Sequence, residues 1–129
     1  MGIEFRIDTE EGIVYTTVKG DLDVDDIIAG LTEIISHEDF EQGMGGIFDL
    51  LASKWESNPE ELRKIVRFII ENTDRIGQSR HAVVVGSNRA YGMSRMFEVF
   101  SQETAVNVRI FRDLDEARKW MIEGADKKE

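Results

Sequence analysis

The apolar residues of this sequence keep changing period, from the two-residue alternation of a strand to the three-to-four-residue spacing of a helix face, and that switching narrows the fold more than any single motif. Ile3, Phe5 and Ile7 alternate with Glu4, Arg6 and Asp8. The turn residues Asp8-Thr9-Glu10-Glu11-Gly12 follow, and then a β-branched and aromatic run from Ile13 to Val18. Two such runs across a short turn predict an antiparallel hairpin at one edge of a sheet. From Asp23 the period lengthens, and Val24, Ile27, Ile28, Leu31, Ile34 and Ile35 share one helical face. Asp23 is the expected N-cap, with Asp25 and Asp26 favourable near the positive end of the helix dipole.

Gly43-Met44-Gly45-Gly46 reads as a flexible turn into the apolar run Ile47 to Leu51, a short buried strand. Asn58-Pro59-Glu60-Glu61 combines an N-cap, a proline at the first helical position and a Glu three residues on, a strong helix start. Leu62, Ile65, Val66, Ile69, Thr73 and Ile76 form the inner stripe of that helix, which Gly77 ends. Phe68 projects about 120° off the stripe at about 100° per residue. Ala82-Val83-Val84-Val85 is apolar on both faces, as a central parallel strand covered on both sides must be. Asn88 is the expected cap of a third helix with Met93, Met96, Phe97 and Phe100 on its core face. Val106 to Phe111 is a last strand, and Asp113 to Glu116 resembles a capping box for a fourth helix with Leu114, Ala117 and Met121 inward.

The predicted order is therefore ββαβαβαβα. This is an α/β domain with a mixed, mostly parallel sheet of about five strands, an N-terminal antiparallel hairpin and about four flanking helices joined by right-handed crossovers. One domain spans residues 1–124 and a polar tail 125–129 follows.

Composition excludes several classes of function. With 16 Lys and Arg against 26 Asp and Glu, the net charge of −10 disfavours nucleic acid and anionic lipid as bulk partners. The absence of Cys removes disulfides, thiolate zinc sites and Cys nucleophiles together. No stretch is apolar enough for a signal peptide or an integral membrane span, and Arg6 stands where myristoylation needs Ser or Thr. A cytoplasmic location is the expectation. The charge is uneven: residues 1–58 hold 14 acids and 3 bases, and residues 59–129 hold 12 acids and 13 bases. A bipolar surface of this kind suits an acidic partner or a small anion at its basic end, or simply two solvated faces.

The element order, with Ile47-Phe48-Asp49-Leu50, Ala82-Val83-Val84-Val85, the segment Tyr91-Gly92-Met93-Ser94-Arg95-Met96-Phe97 and the closing Ala117-x-x-Trp120 helix, resembles the small stand-alone STAS/SpoIIAA-like domains over nearly the whole chain. The resemblance implies a mixed sheet flanked by helices and a non-enzymatic role. That role is either regulation through protein–protein interaction or, as in the lipid-transfer relatives of the fold, holding an apolar ligand. Anti-sigma-factor antagonists of this family carry Asp-Ser-Ser/Ala-Gly, with a phosphorylated Ser, at the start of the helix after the Asp-containing strand. Here the stretch reads Trp55-Glu56-Ser57-Asn58-Pro59-Glu60, so only a Ser near the helix start corresponds, and the phosphorylation switch is not supported by the rest of the motif.

Ser57 is the phosphorylation candidate, since a phosphate before a helix N-terminus meets free backbone N–H groups, although Glu56, Glu60 and Glu61 oppose it. Gly86-Ser87-Asn88-Arg89 follows the Val-rich strand and opens a helix, which makes Ser87, Asn88 and Arg89 candidates for binding an anion at the carboxyl edge of the sheet. Tyr91 and Arg95, one turn apart on the face away from Met93 and Phe97, are further ligand candidates. Trp55, Phe68 and Trp120 fall off their inward stripes or in loops and are interface candidates, the off-stripe Phe68 suggesting a homodimer through its helix. Asp49, inside an apolar strand, requires a hydrogen-bonding or cationic partner. His37 and His81 lack second ligands at metal spacing, and no Gly-x-Ser-x-Gly elbow is present, so no metal, cofactor or catalytic set is expected. A domain acting through protein contacts is the first expectation. A pocket near the third helix, lined by Met93, Met96, Phe97 and Phe100 and taking a small apolar or anionic molecule, is the alternative, and hydrolysis is a weaker third.

Overall fold

The computed structural model describes residues 2–126. Five strands lie side by side in chain order: β1 (Ile3–Asp8), β2 (Ile13–Gly20), β3 (Gly45–Ser53), β4 (Ser79–Val84) and β5 (Val106–Phe111). β1 pairs antiparallel with β2 at the edge, and each later pairing is parallel. The helices are α1 (Val24–Ser36), α2 (Pro59–Glu71), the single turn α3 (Thr73–Ile76), α4 (Asn88–Phe100) and α5 (Leu114–Asp126), with a 3₁₀ turn at Ser101–Glu103. The tail residues 127–129 lie outside the described residues.

Strands added one after another in the same direction by crossovers of one hand must set their helices on one face of the sheet. α1, α2 and α4 accordingly share a face with Val14, Val83, Val85, Val108 and Ile110. α5 comes after the last strand and folds back across the other face, where Ala117 and Met121 pack on Ile13, Ile47, Ala82 and Val84. Alternation at the end of β4 explains the uniformly apolar run Ala82 to Val85: Ala82 and Val84 meet α5, whereas Val83 and Val85 meet the three-helix layer. In β5 the buried Val106, Val108 and Ile110 alternate with Asn107, Arg109 and Phe111.

Local chemistry sets the element ends. Asp23 caps α1 in a full capping box with Asp26, Asn58 accepts from the Glu61 N–H at 2.9 Å, and Asp113 accepts from the Glu116 N–H at 3.0 Å.

The structure corrects three boundaries. Ser87, not Asn88, caps α4: it is extended and its Oγ accepts from the Ala90 N–H at 3.0 Å, while the Asn88 amide oxygen is turned to Arg112. The helix read as continuous from Pro59 to Ile76 breaks at Asn72, giving five helices where about four were expected. There the Asn72 and Thr73 side chains donate to the carbonyls of Phe68, Ile69 and Ile70 and compete with the helical ladder.

The third correction is at Gly45 and Gly46: Gly43 makes the expected turn, at φ 92°, but the two glycines after Met44 are not part of it. Gly45 and Gly46 begin β3, and a Cβ on Gly45 would stand 2.8 Å from the Arg80 carbonyl oxygen. On Gly46 it would stand 3.0 Å from His81 Nδ1. Neighbouring strand and side chain come too close for anything larger.

Candidate functional site

The sheet and its three-helix layer do not close on each other. Between them lies a predominantly apolar cavity of about 290 Å³. Val14, Phe48, Val83 and Val108 floor it, and Leu31, Leu62, Phe68, Ile69, Met93 and Phe97 roof it. α4 shows the consequence: not one of its residues is fully buried, although Met93 and Phe97 point into the domain. The expected pocket under this helix is present in altered form. Met96 and Phe100 do not line it, and Phe100 sits instead under the Arg63 guanidinium, 4.7 Å from its ring centre.

The polar residues of the lining gather mainly at the carboxyl ends of β3 and β4, where parallel topology places the starts of α2 and α4. The end of β3 and the loop after it contribute Ser53, Lys54, Trp55, Glu56 and Ser57, the start of α4 contributes Ser87 and Arg89, and Ser94 follows in the middle of that helix. Ser53 Oγ accepts from the Trp55 backbone N–H at 3.1 Å and fixes the loop. The Trp55 indole N–H is buried without a hydrogen-bond partner. Glu56 and Arg89, both largely exposed, face each other across this mouth at 3.7 Å.

At the opposite end the cavity reaches Gly45, Gly46, Phe40, Val106 and His81. The His81 imidazole bonds Ser79 Oγ through Nε2 at 2.7 Å and lies 6.0 Å from the Phe48 ring, centre to centre. Burial holds its pKa down to about 4, so it is neutral at physiological pH. Ser79 and His81 thus make the contact a nucleophile and base would make, yet no carboxylate hydrogen-bonds His81 among the described residues to orient it.

The structure brings Ser57, Ser87, Arg89, Trp55 and Phe68 to one cavity with Met93 and Phe97, and leaves Asn88, Tyr91, Arg95 and Trp120 outside it. Phe68 is off its stripe because it turns into the cavity, half-buried, which removes the observation behind a dimer through α2. Tyr91 is half-buried at the edge of the core, and the exposed Arg95 donates to its hydroxyl at 3.3 Å and bridges to Glu98 at 2.8 Å. Asn88 is held by Arg112, and Trp120 packs on Phe111 on the α5 face beneath Arg80 and Arg109. Asp49 meets its requirement locally by accepting from the Leu51 N–H at 3.0 Å, and His37 Nδ1 accepts from the Asp39 N–H at 3.0 Å. No cluster of three potential metal ligands occurs among the described residues.

Sequence reasoning missed His81, Trp55 as a cavity residue, and the glycines at the cavity floor. The missed signal was Gly45-Gly46 directly before an apolar run, which marks a close approach as readily as a turn.

No known family profile matches the chain, and no curated protein matches it. Among solved structures it is similar to an uncharacterised protein of the DUF3478 family with a SpoIIAA-like fold from Shewanella loihica PV-4. The TM-score is 0.61 and the identity 14%, over 93% of this chain and 94% of that one. No helix among the described residues is long and apolar enough to cross a membrane. The five-stranded sheet, the antiparallel edge hairpin and the flanking helices are those of a SpoIIAA-like fold.

Proposed function

We propose that this protein is a non-enzymatic binding domain that holds a small, largely apolar molecule between its sheet and the layer of α1, α2 and α4. The apolar cavity of about 290 Å³ carries this reading. Protein interiors pack to the density of organic crystals, and an apolar void of this size is otherwise a large loss of contacts. It falls just under the volume range of small-molecule pockets, roughly 300–1,000 Å³, and so suits a small ligand. Adaptable methionine and aromatic side chains roof it, and the polar groups converge at one mouth. Native mass spectrometry of protein purified without denaturant tests the reading. Extra mass lost on denaturation, or uptake of decanol by the stripped protein, is expected; a chain that carries and takes up nothing would refute it.

Regulation through protein contact is the second reading, favoured by Ile70 and Val99, which are 49% and 55% exposed on α2 and α4. These are the helices that roof the cavity, so occupancy beneath and contact above would meet in the same elements. An exposed apolar side chain at each position suits a partner surface. Replacing both by Ser and finding the same oligomeric state and the same captured partners as in the unaltered protein would remove it.

A further inference from the structure

Resting on the cavity as a ligand site, we infer that its occupant is an anionic amphiphile, a carboxylate with an aliphatic tail, bound head-outward at the mouth between the β3–α2 loop and the start of α4. The mouth is built almost wholly of donors. Ser53, Ser57 and Ser87 bring hydroxyls, Trp55 an indole N–H with no acceptor, and Lys54 and Arg89 two cations. A buried donor without an acceptor is rare in a folded protein and is destabilising by its lost hydration, so an acceptor supplied by a ligand would complete the site. Ser53 and Ser87 already accept from backbone N–H groups, which leaves their own O–H protons to donate outward. α4 begins here with no acidic residue in its first turn, and its dipole adds positive potential at the mouth, whereas Glu60 and Glu61 in the first turn of α2 offset the dipole of that helix.

Among the described residues Glu56 is the one carboxylate of the cavity lining, and it faces Arg89 at 3.7 Å. An incoming carboxylate competes with Glu56 for that guanidinium, and releasing the loop from α4 opens the way for the tail. No covalent step is involved; one carboxylate replaces another on the same cation. The interior accepts the tail, since about 290 Å³ divided into water- or methylene-sized units of about 30 Å³ each leaves room for about ten of them. The tail would lie along Phe68, Met93 and Phe97, toward the neutral His81 at the far end.

The test is isothermal titration of decanoate, decanol and decyltrimethylammonium, below the micellar concentrations of the two ions and the solubility limit of decanol, into the unaltered protein and into Arg89→Gln and Glu56→Gln. Both substitutions are at exposed positions, and circular dichroism confirms that each variant is folded. Decanoate is expected to bind the unaltered protein about tenfold or more tightly than decanol, the difference made by one charge-assisted contact. Arg89→Gln should remove most of the preference for decanoate over decanol and leave decanol unchanged. Glu56→Gln should tighten decanoate. A perturbed Trp55 indole signal in the proton–nitrogen spectrum, assigned with Trp55→Phe, should accompany decanoate binding. Equal affinity for decanoate and decanol, or tighter binding of the ammonium compound, would overturn the assignment of an anionic head and leave the cavity as a ligand site. Binding of none of the three would overturn both.

Discussion

Ala90 lines the cavity from the first turn of α4, half-buried against the core, and Ala90→Leu tests whether the space beneath that helix is real and used. An empty apolar void of about 290 Å³ costs up to about 7 kcal/mol at about 24 cal/mol per Å³, an upper bound because the mouth opens to water. That is comparable with the whole stability of a domain, about 5–15 kcal/mol. Leucine adds three heavy atoms, which at about 30 Å³ each fill about 90 Å³ and recover about 2 kcal/mol. Ordering the longer side chain takes back about 0.5–1 kcal/mol, and helix propensity changes little between two good helix formers. The expected net gain is about 1 kcal/mol, a rise of about 4 °C in the thermal midpoint for a chain of this size. Urea unfolding should show the same gain at an unchanged slope. Because nearly a third of the cavity is filled, decanoate affinity should fall at least about tenfold. A midpoint lowered by several degrees, with decanoate binding intact, would refute the reasoning, for it would mean that the leucine is overpacking a filled core.

His81 supplies a pH dependence. Its pKa is about 4 when folded and about 6.5 when unfolded, so the unfolded chain takes up the proton first as the pH falls. Stability contributed by the neutral imidazole is complete above about pH 6.5 and declines toward pH 4 by about 3 kcal/mol in total, at about 1.4 kcal/mol per unit. His81→Gln should flatten that part of the urea-unfolding profile; an unchanged slope would show that His81 is not the group responsible. Gly45→Ala should destabilise by about 2–3 kcal/mol, because its Cβ would press on the Arg80 carbonyl, and Gly46→Ala by less, because the His81 ring can move into the cavity; chemical denaturation gives both, and the reverse ranking would contradict the geometry. Asp23→Ala removes the capping box of α1 and should cost about 1 kcal/mol, read as a lowered thermal midpoint by circular dichroism.

The element order was legible because each segment carries its own period and its own punctuation. Asp23, Asn58 and Asp113 cap the helices they announce, and β5 runs from Val106 to Phe111 as its alternation predicts. The parallel pairing of the later strands followed from short crossovers of a single hand, a rule that acts on connection length and chirality and needs no knowledge of packing. Half of the mouth was legible too: Ser87 and Arg89 follow a buried strand and open a helix, and that local context already places them at the carboxyl edge of a sheet. Asn88, Tyr91 and Arg95 share that context and face elsewhere, because one turn of helix points side chains all the way round and only the neighbouring elements decide which of them look inward.

What sequence alone determined, then, is a SpoIIAA-like order of strands and helices, written in hydrophobic period and capping chemistry. Whether an inward face meets another side chain or an empty space is decided by the distance between layers, and that distance depends on residues far apart in the chain. Phe68 looked like a surface aromatic and Met93 and Phe97 like ordinary core until α2 and α4 were set across β3 and β4 with the cavity between them. The glycines at the start of β3 looked like a hinge until the Arg80 backbone and the His81 ring were seen to occupy the space of a Cβ. Period is a property of neighbours in sequence; a cavity belongs to surfaces that meet only after folding, and tertiary structure alone brings them together.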